Sequence, residues 1–157
     1  MGEETKYLVR ICGKTAMLAV AGKAGYLNCR SAGEFFASAV EKGCTKVLVQ
    51  LEKCTGMDST FLGMIAGVAL KLKKSDGELL LLNLNERNRE LVENLGIARL
   101  VKISDGSIDA NLGDTLPSAS APTSAILDAH QNLVDADAAN LAKFEDVISF
   151  LKKENKA

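Results

Sequence analysis

The sequence has no tryptophan, five phenylalanines, two tyrosines and only 4% aromatic residues in all, so its core must be built from aliphatic side chains. No apolar run is long enough to cross a bilayer as a helix. The start, Met1-Gly2-Glu3-Glu4, is acidic where a signal peptide would be basic and then apolar. Lys6 stands where a myristoylation signal would carry Ser or Thr. A cytoplasmic protein is expected. One histidine, His130, and four scattered cysteines, with no C-x-x-C pair, leave no metal-ligand spacing, so neither a metal nor a cofactor is expected. The cysteines are read as reduced, small apolar residues. A net charge of −1 gives no electrostatic footprint for nucleic acid. The cluster Lys71, Lys73 and Lys74 falls at the end of an expected helix, where it complements the helix dipole. No glycine motif has phosphate-loop spacing, and Gly22-Lys23-Ala24-Gly25 fits neither known pattern.

What is present is a regular alternation. Tyr7–Ile11 and Thr15–Ala21 flank a turn at Gly13-Lys14 and read as a hairpin. After the break at Gly22–Gly25, Ser31-Ala32-Gly33-Glu34 has capping-box spacing, and Phe35, Phe36, Ala39 and Val40 recur at helical intervals up to Gly43. Lys46–Leu51 is a short apolar strand, followed by an expected loop from Glu52 to Met57. Asp58-Ser59-Thr60 opens a helix that runs from Phe61 to Lys74. Glu78–Leu84, with five leucines, is an expected strand covered on both faces. Asn85 caps a third helix that ends at Gly96, and Arg99–Ile103 is the last strand. The order predicts an α/β fold: an N-terminal hairpin, then parallel βαβ units, with helices packed on a mixed sheet.

Composition changes near residue 104. A domain over 5–104, a linker over 105–122 holding both prolines, and an amphipathic helical extension over 123–157 are expected. In the extension Leu141, Phe144, Ile148 and Leu151 form a stripe that packs on its own domain or on a second copy, giving a possible homodimer.

Chemistry concentrates at Gly56-Met57-Asp58-Ser59-Thr60, where a hydroxyl at a helix N-terminus meets amides that welcome a phosphate. Helix capping alone also explains these residue types. Along the helix, Phe61, Met64 and Val68 form an apolar shoulder, either buried by a neighbouring helix or left open as a docking patch. A catalytic serine would need His130, which lies beyond the linker, so Ser59 and His130 meet only if the tail folds back; His130 is expected on the surface. No active-site constellation is present, and no enzyme is expected.

These residues resemble the STAS domain family of bacterial anti-sigma-factor antagonists. The resemblance spans residues 7–103 and rests on Asp58-Ser59-Thr60-Phe61-Leu62-Gly63, Asp76-Gly77-Glu78, Leu79–Leu82, Asn83, Leu95-Gly96-Ile97 and Leu100. It implies a phospho-regulated partner-switching module in signal transduction and transcription regulation. Its phosphoacceptor would be Ser59, with Thr60 as second choice. Its partner-binding residues would be Asp58, Ser59, Thr60, Phe61, Met64 and Val68. Its partners would be an anti-sigma factor that is also a serine kinase, and a phosphatase, with no nucleic acid and no membrane. Two departures stand out: Phe61 replaces a usual glycine, and Gly22–Gly25 lacks the acidic residues of the family's early partner-contacting segment. The alternatives are a constitutive STAS adaptor without phosphorylation and a small-ligand or nucleotide sensor.

Overall fold

A computed structural model of the chain describes residues 4–108 and 113–156; the acidic start at residues 1–3, linker residues 109–112 and residue 157 lie outside the described residues. The elements are β1 (Lys6–Cys12), β2 (Thr15–Ala24), α1 (Arg30–Glu41), β3 (Lys46–Met57), α2 (Ser59–Lys74), β4 (Glu78–Leu82), α3 (Glu86–Asn94), β5 (Lys102–Ser104), β6 (Asp114–Thr115), α4 (Thr123–Ala136) and α5 (Asn140–Lys156).

Among the described residues the sheet has six strands in the order β5-β4-β3-β2-β1-β6. The β1–β2 hairpin is antiparallel and turns at Gly13, whose φ of 60° suits a residue without Cβ. The β2–β3, β3–β4 and β4–β5 pairs are parallel, as the βαβ alternation requires. Alternate residues of the central strands form the core face: Leu18 and Val20, Val47, Val49 and Leu51, and Leu79 and Leu81 are all buried. They meet Phe36, Phe61, Leu62, Ile65 and Leu72 of the covering helices.

Several local expectations are corrected. The stretch read as a loop, Glu52–Met57, continues β3, and β2 runs through Gly22 to Ala24 beside it. Bulges between Ala19 and Ala21 and between Gly22 and Lys23 absorb the glycine-rich irregularity while keeping the strands paired. β4 ends at Leu82, and on the face opposite buried Leu79 and Leu81 only Leu82 is buried while Glu78 and Leu80 are half-buried, so that face is only partly covered. Ser31 does not cap α1, which starts one residue earlier, at Arg30. The Arg30 amide is instead satisfied by the Ala119 carbonyl at 3.0 Å.

That last contact belongs to the segment expected to be a linker. Its residues 114–121 attach to the domain in steps. β6 adds to β1, the Leu116 amide bonds the Tyr7 carbonyl at 2.9 Å, and the Ala121 amide bonds the Tyr26 carbonyl at 2.6 Å. The chain then turns at Pro122 into α4.

The helical extension packs on its own domain. α4 lies along α2, with Ala129, Leu133 and Ala136 buried; α5 returns against it through half-buried Phe144 and buried Ile148 and Leu151. Leu141, expected in the same stripe, is 48% exposed. The elbow between the two helices is fixed by buried Asn140, which donates from Nδ2 to the Leu95 carbonyl at 2.9 Å and the Leu133 carbonyl at 2.7 Å. Arg99 adds a 2.9 Å hydrogen bond to the Ala136 carbonyl and a 3.6 Å ion pair with Asp137.

Asn140→Ala leaves two buried carbonyls without that donor and should lower stability by about 1–3 kcal/mol, measurable by urea unfolding. Burial pushes the Cys29 thiol up to about 12 from its ordinary 9.0. The folded state therefore keeps a proton that the unfolded chain releases, so stability should fall as pH rises from about 9 towards 12. Cys29→Ala should lessen that alkaline decline in a pH series of thermal melts, the remainder coming from buried Tyr7 and Cys54, whose pKa values burial also raises.

Candidate functional site

The site is built where β3 ends and α2 begins. Asp58 is the N-cap of α2: Oδ1 accepts from the Phe61 amide at 3.0 Å, as the sequence predicts for a capping aspartate. Its other oxygen, Oδ2, accepts from the Tyr26 amide at 2.8 Å. One carboxylate thus ties the helix start to the β2–α1 loop. Gly25 is required for this approach, because a Cβ there would lie 2.5 Å from Asp58 Oδ2. The segment that lacks the family's acidic residues is thereby shaped to receive Asp58. The loop is held from below by Tyr7, whose buried hydroxyl donates to Asn28 Oδ1, while Asn28 Nδ2 donates to the Lys23 carbonyl at 3.0 Å. Burial, with Cys29, Cys54 and Asp58 adding to it, raises the Tyr7 pKa, so the phenol keeps its proton and remains a donor.

Ser59 is the first residue of α2 and is half-buried. Its Oγ lies 2.9 Å from Nε2 of His130, a residue 71 positions away in sequence. His130 is only 4% exposed, which corrects its expected surface position. The tail does fold back, and α4 carries the imidazole to the mouth of α2. The roles in this bond follow from the other ring nitrogen. Nδ1 lies 2.8 Å from the Ile126 carbonyl of its own helix, an acceptor only, so Nδ1 bears the hydrogen. In the neutral ring Nε2 then accepts, and the Ser59 hydroxyl donates. Phe144 of α5 stands edge-on to the imidazole, with ring centroids 5.1 Å apart.

The remaining candidates divide. Thr60 is 3% exposed, whereas Asp58 and Ser59 keep partial access to solvent. Phe61 is fully buried, its ring between Tyr7 and Phe36 at centroid separations of 6.1 and 6.5 Å. In this position it is a core residue rather than a docking group, because the inner side of the first helical turn faces the sheet and α1. Met64 is half-buried and Val68 is 6% exposed. Both line a groove between α1 and α4, with Gly33, Phe36, Val40 and Asn132. The apolar shoulder is therefore covered by neighbouring helices. Tyr26 and Leu27, 48% and 66% exposed, present apolar surface beside Asp58. Sequence reading missed them, although two large apolar residues between a glycine and an asparagine in a turn were the available signal.

Asp58→Ala removes the helix cap and the tie to Tyr26 together, and should cost about 0.5–2 kcal/mol in denaturant unfolding. Phe61→Ala should cost about 3–5 kcal/mol in the same measurement, a core-sized loss that an exposed docking residue would not show.

The sequence pattern of the STAS domain matches residues 9–110. An anti-sigma-B factor antagonist of Staphylococcus aureus (strain NCTC 8325 / PS 47) is 33% identical over 67 residues, which are 43% of this chain and 62% of that protein. The match thus spans less than two thirds of that relative's length. Among solved structures, a putative anti-sigma factor antagonist from Thermotoga maritima superposes with a TM-score of 0.53 at 22% identity, over 64% of this chain and 86% of that one. The antagonist SpoIIAA in its unphosphorylated form gives a TM-score of 0.52 at 17% identity, over 66% and 90%. The Bacillus cell fate determinant SpoIIAA in its phosphorylated form gives 0.52 at 20% identity, over 64% and 91%. A mixed sheet in this order, an aspartate-capped helix opening on a serine, and a sequence match over most of the fold lead to one assignment: the chain belongs to the STAS domain family.

Proposed function

We propose that the protein is a partner-switching signalling module of the anti-sigma-factor-antagonist type, whose protein binding is controlled by phosphorylation of Ser59. The observation that carries this reading is the position of Ser59: a half-buried hydroxyl on the first turn of α2, directly after the capping Asp58, in a domain related to antagonists. One solved structural neighbour is described in a phosphorylated form. A phosphate at this place adds roughly −1.5 to −2 charges beside the positive end of the helix dipole, which favours anions. The domain accommodates the dianion, and a protein surface pressed on the helix start does not, because the phosphate is bulky and strongly hydrated.

The docking surface centres on Asp58 and Ser59, flanked by the exposed Tyr26 and Leu27; Met64 and Val68, expected to belong to it, are covered by α1 and α4. The partner in this reading is an anti-sigma factor with serine kinase activity, and a phosphatase resets the module. The Ser59–His130 contact is read as structural rather than catalytic, because the imidazole is buried and packs edge-on against Phe144, which leaves a substrate little access to it. Among the described residues no helix is long and apolar enough to cross a membrane.

A constitutive adaptor is the second reading. It is favoured by the covered shoulder and by the absence of carboxylates from Gly22–Gly25. Phosphate mapping in native lysate, together with side-by-side capture by Ser59→Ala and Ser59→Asp baits, separates the two. The switch predicts phosphate on Ser59 and at least about tenfold weaker capture by the Asp bait, equivalent to about 1.4 kcal/mol. An unlabelled Ser59 with equal capture by both baits defeats it.

A further inference from the structure

The extension does more than lengthen the core. Three contacts set α4 against the N-terminal half of α2. Gly63 has no room for a Cβ because the Ala129 backbone carbonyl occupies that place. One turn later, Gly67 faces Asn132, whose Nδ2 donates to the Gly63 carbonyl at 3.2 Å. At the end of the interface, Ser59 donates to His130. These contacts form a single strip along α2 that begins at the proposed phosphoacceptor.

We infer that α4 and α5 form a lid over α2, latched through the Ser59–His130 hydrogen bond, and that a phosphate on Ser59 is incompatible with the closed lid. This regulation rests on the reading of Ser59 as a phosphoacceptor. The chemistry is explicit. In phosphoryl transfer from a nucleoside triphosphate the Oγ–P bond forms, the terminal phosphoanhydride bond breaks, and the hydroxyl proton passes to the kinase's base. The hydrogen that Ser59 gave to Nε2 is then gone. For a neutral imidazole whose Nδ1 holds its hydrogen against Ile126, Nε2 then meets phosphate oxygens that bring it no hydrogen. The group must also fit beside an imidazole that is 4% exposed and backed by Phe144. Ser59 modification and lid position are therefore mutually exclusive, and a kinase reaches Ser59 only while the lid is raised.

The test uses the full chain with phosphoserine installed at position 59 during translation, and follows hydrogen exchange of the α4 amides by mass spectrometry. No kinase or partner is present, so the outcome is independent of whether cells phosphorylate Ser59 or of what binds it. Exchange in α4 should rise at least about tenfold over the unmodified chain, with β3 and β4 still protected. Gly63→Val supplies a lid raised by steric overlap and should show the same pattern. His130→Ala, which removes the latch without altering α2, should speed α4 exchange at least about threefold. Unchanged or slower α4 exchange in the phosphorylated chain, the latter expected if a protonated His130 clasps the phosphate, overturns the inference. Full protection of α4 in Gly63→Val does so too.

Discussion

A helix can approach another backbone to backbone only where side chains are missing, and in this protein that condition is met at Gly63. There α4 lies so close to α2 that the Ala129 carbonyl fills the space a Cβ would need. The approach fixes the height of α4 above the domain and with it the position of His130, one residue after Ala129. The imidazole reaches the Ser59 hydroxyl only because the helices touch. Packing, hydrogen bonding and the environment of the serine all follow from one glycine that, in the sequence, reads simply as part of a motif.

The opposite side of the helix start has its own constraint. Asp58 divides its carboxylate between α2 and the β2–α1 loop, so the serine is held between two attachments of different kinds. One is local and rigid, formed within the domain. The other comes from 71 residues away and depends on the extension being in place. A group positioned in this way has a fixed backbone and a conditional environment, which suits a site whose output is binding.

Much of this was legible in the sequence. The β-β-α-β-α-β-α-β order, the cap at Asp58, the cap at Asn85 and the helical extension follow from local patterns, because caps and periodicity act over four residues or fewer. What could not be read depends on contacts between distant segments. Ser31 has the spacing of a capping residue, yet a carbonyl from Ala119 does that work. Composition marks residues 105–122 as a linker, although backbone hydrogen bonds to β1 and to the Tyr26 loop need no particular side chains and leave little trace in composition. His130 on an amphipathic helix looks like a surface residue, and only the fold-back of α4 makes it a buried partner for Ser59. Phe61 lies beside the motif serine in sequence but belongs to the aromatic cluster beneath it.

The stitching of residues 114–121 onto the sheet edge and the β2–α1 loop has a kinetic consequence. If the helices above α2 detach, they remain anchored at Pro122, where α4 begins. Rebinding is then a unimolecular event, with a local concentration on the order of millimolar for so short a tether. Any external protein seeking the same helix face competes against that internal reservoir. Its apparent affinity is reduced by the fraction of time the anchored segment is seated. The strap thus sets a threshold concentration below which a competitor goes unnoticed.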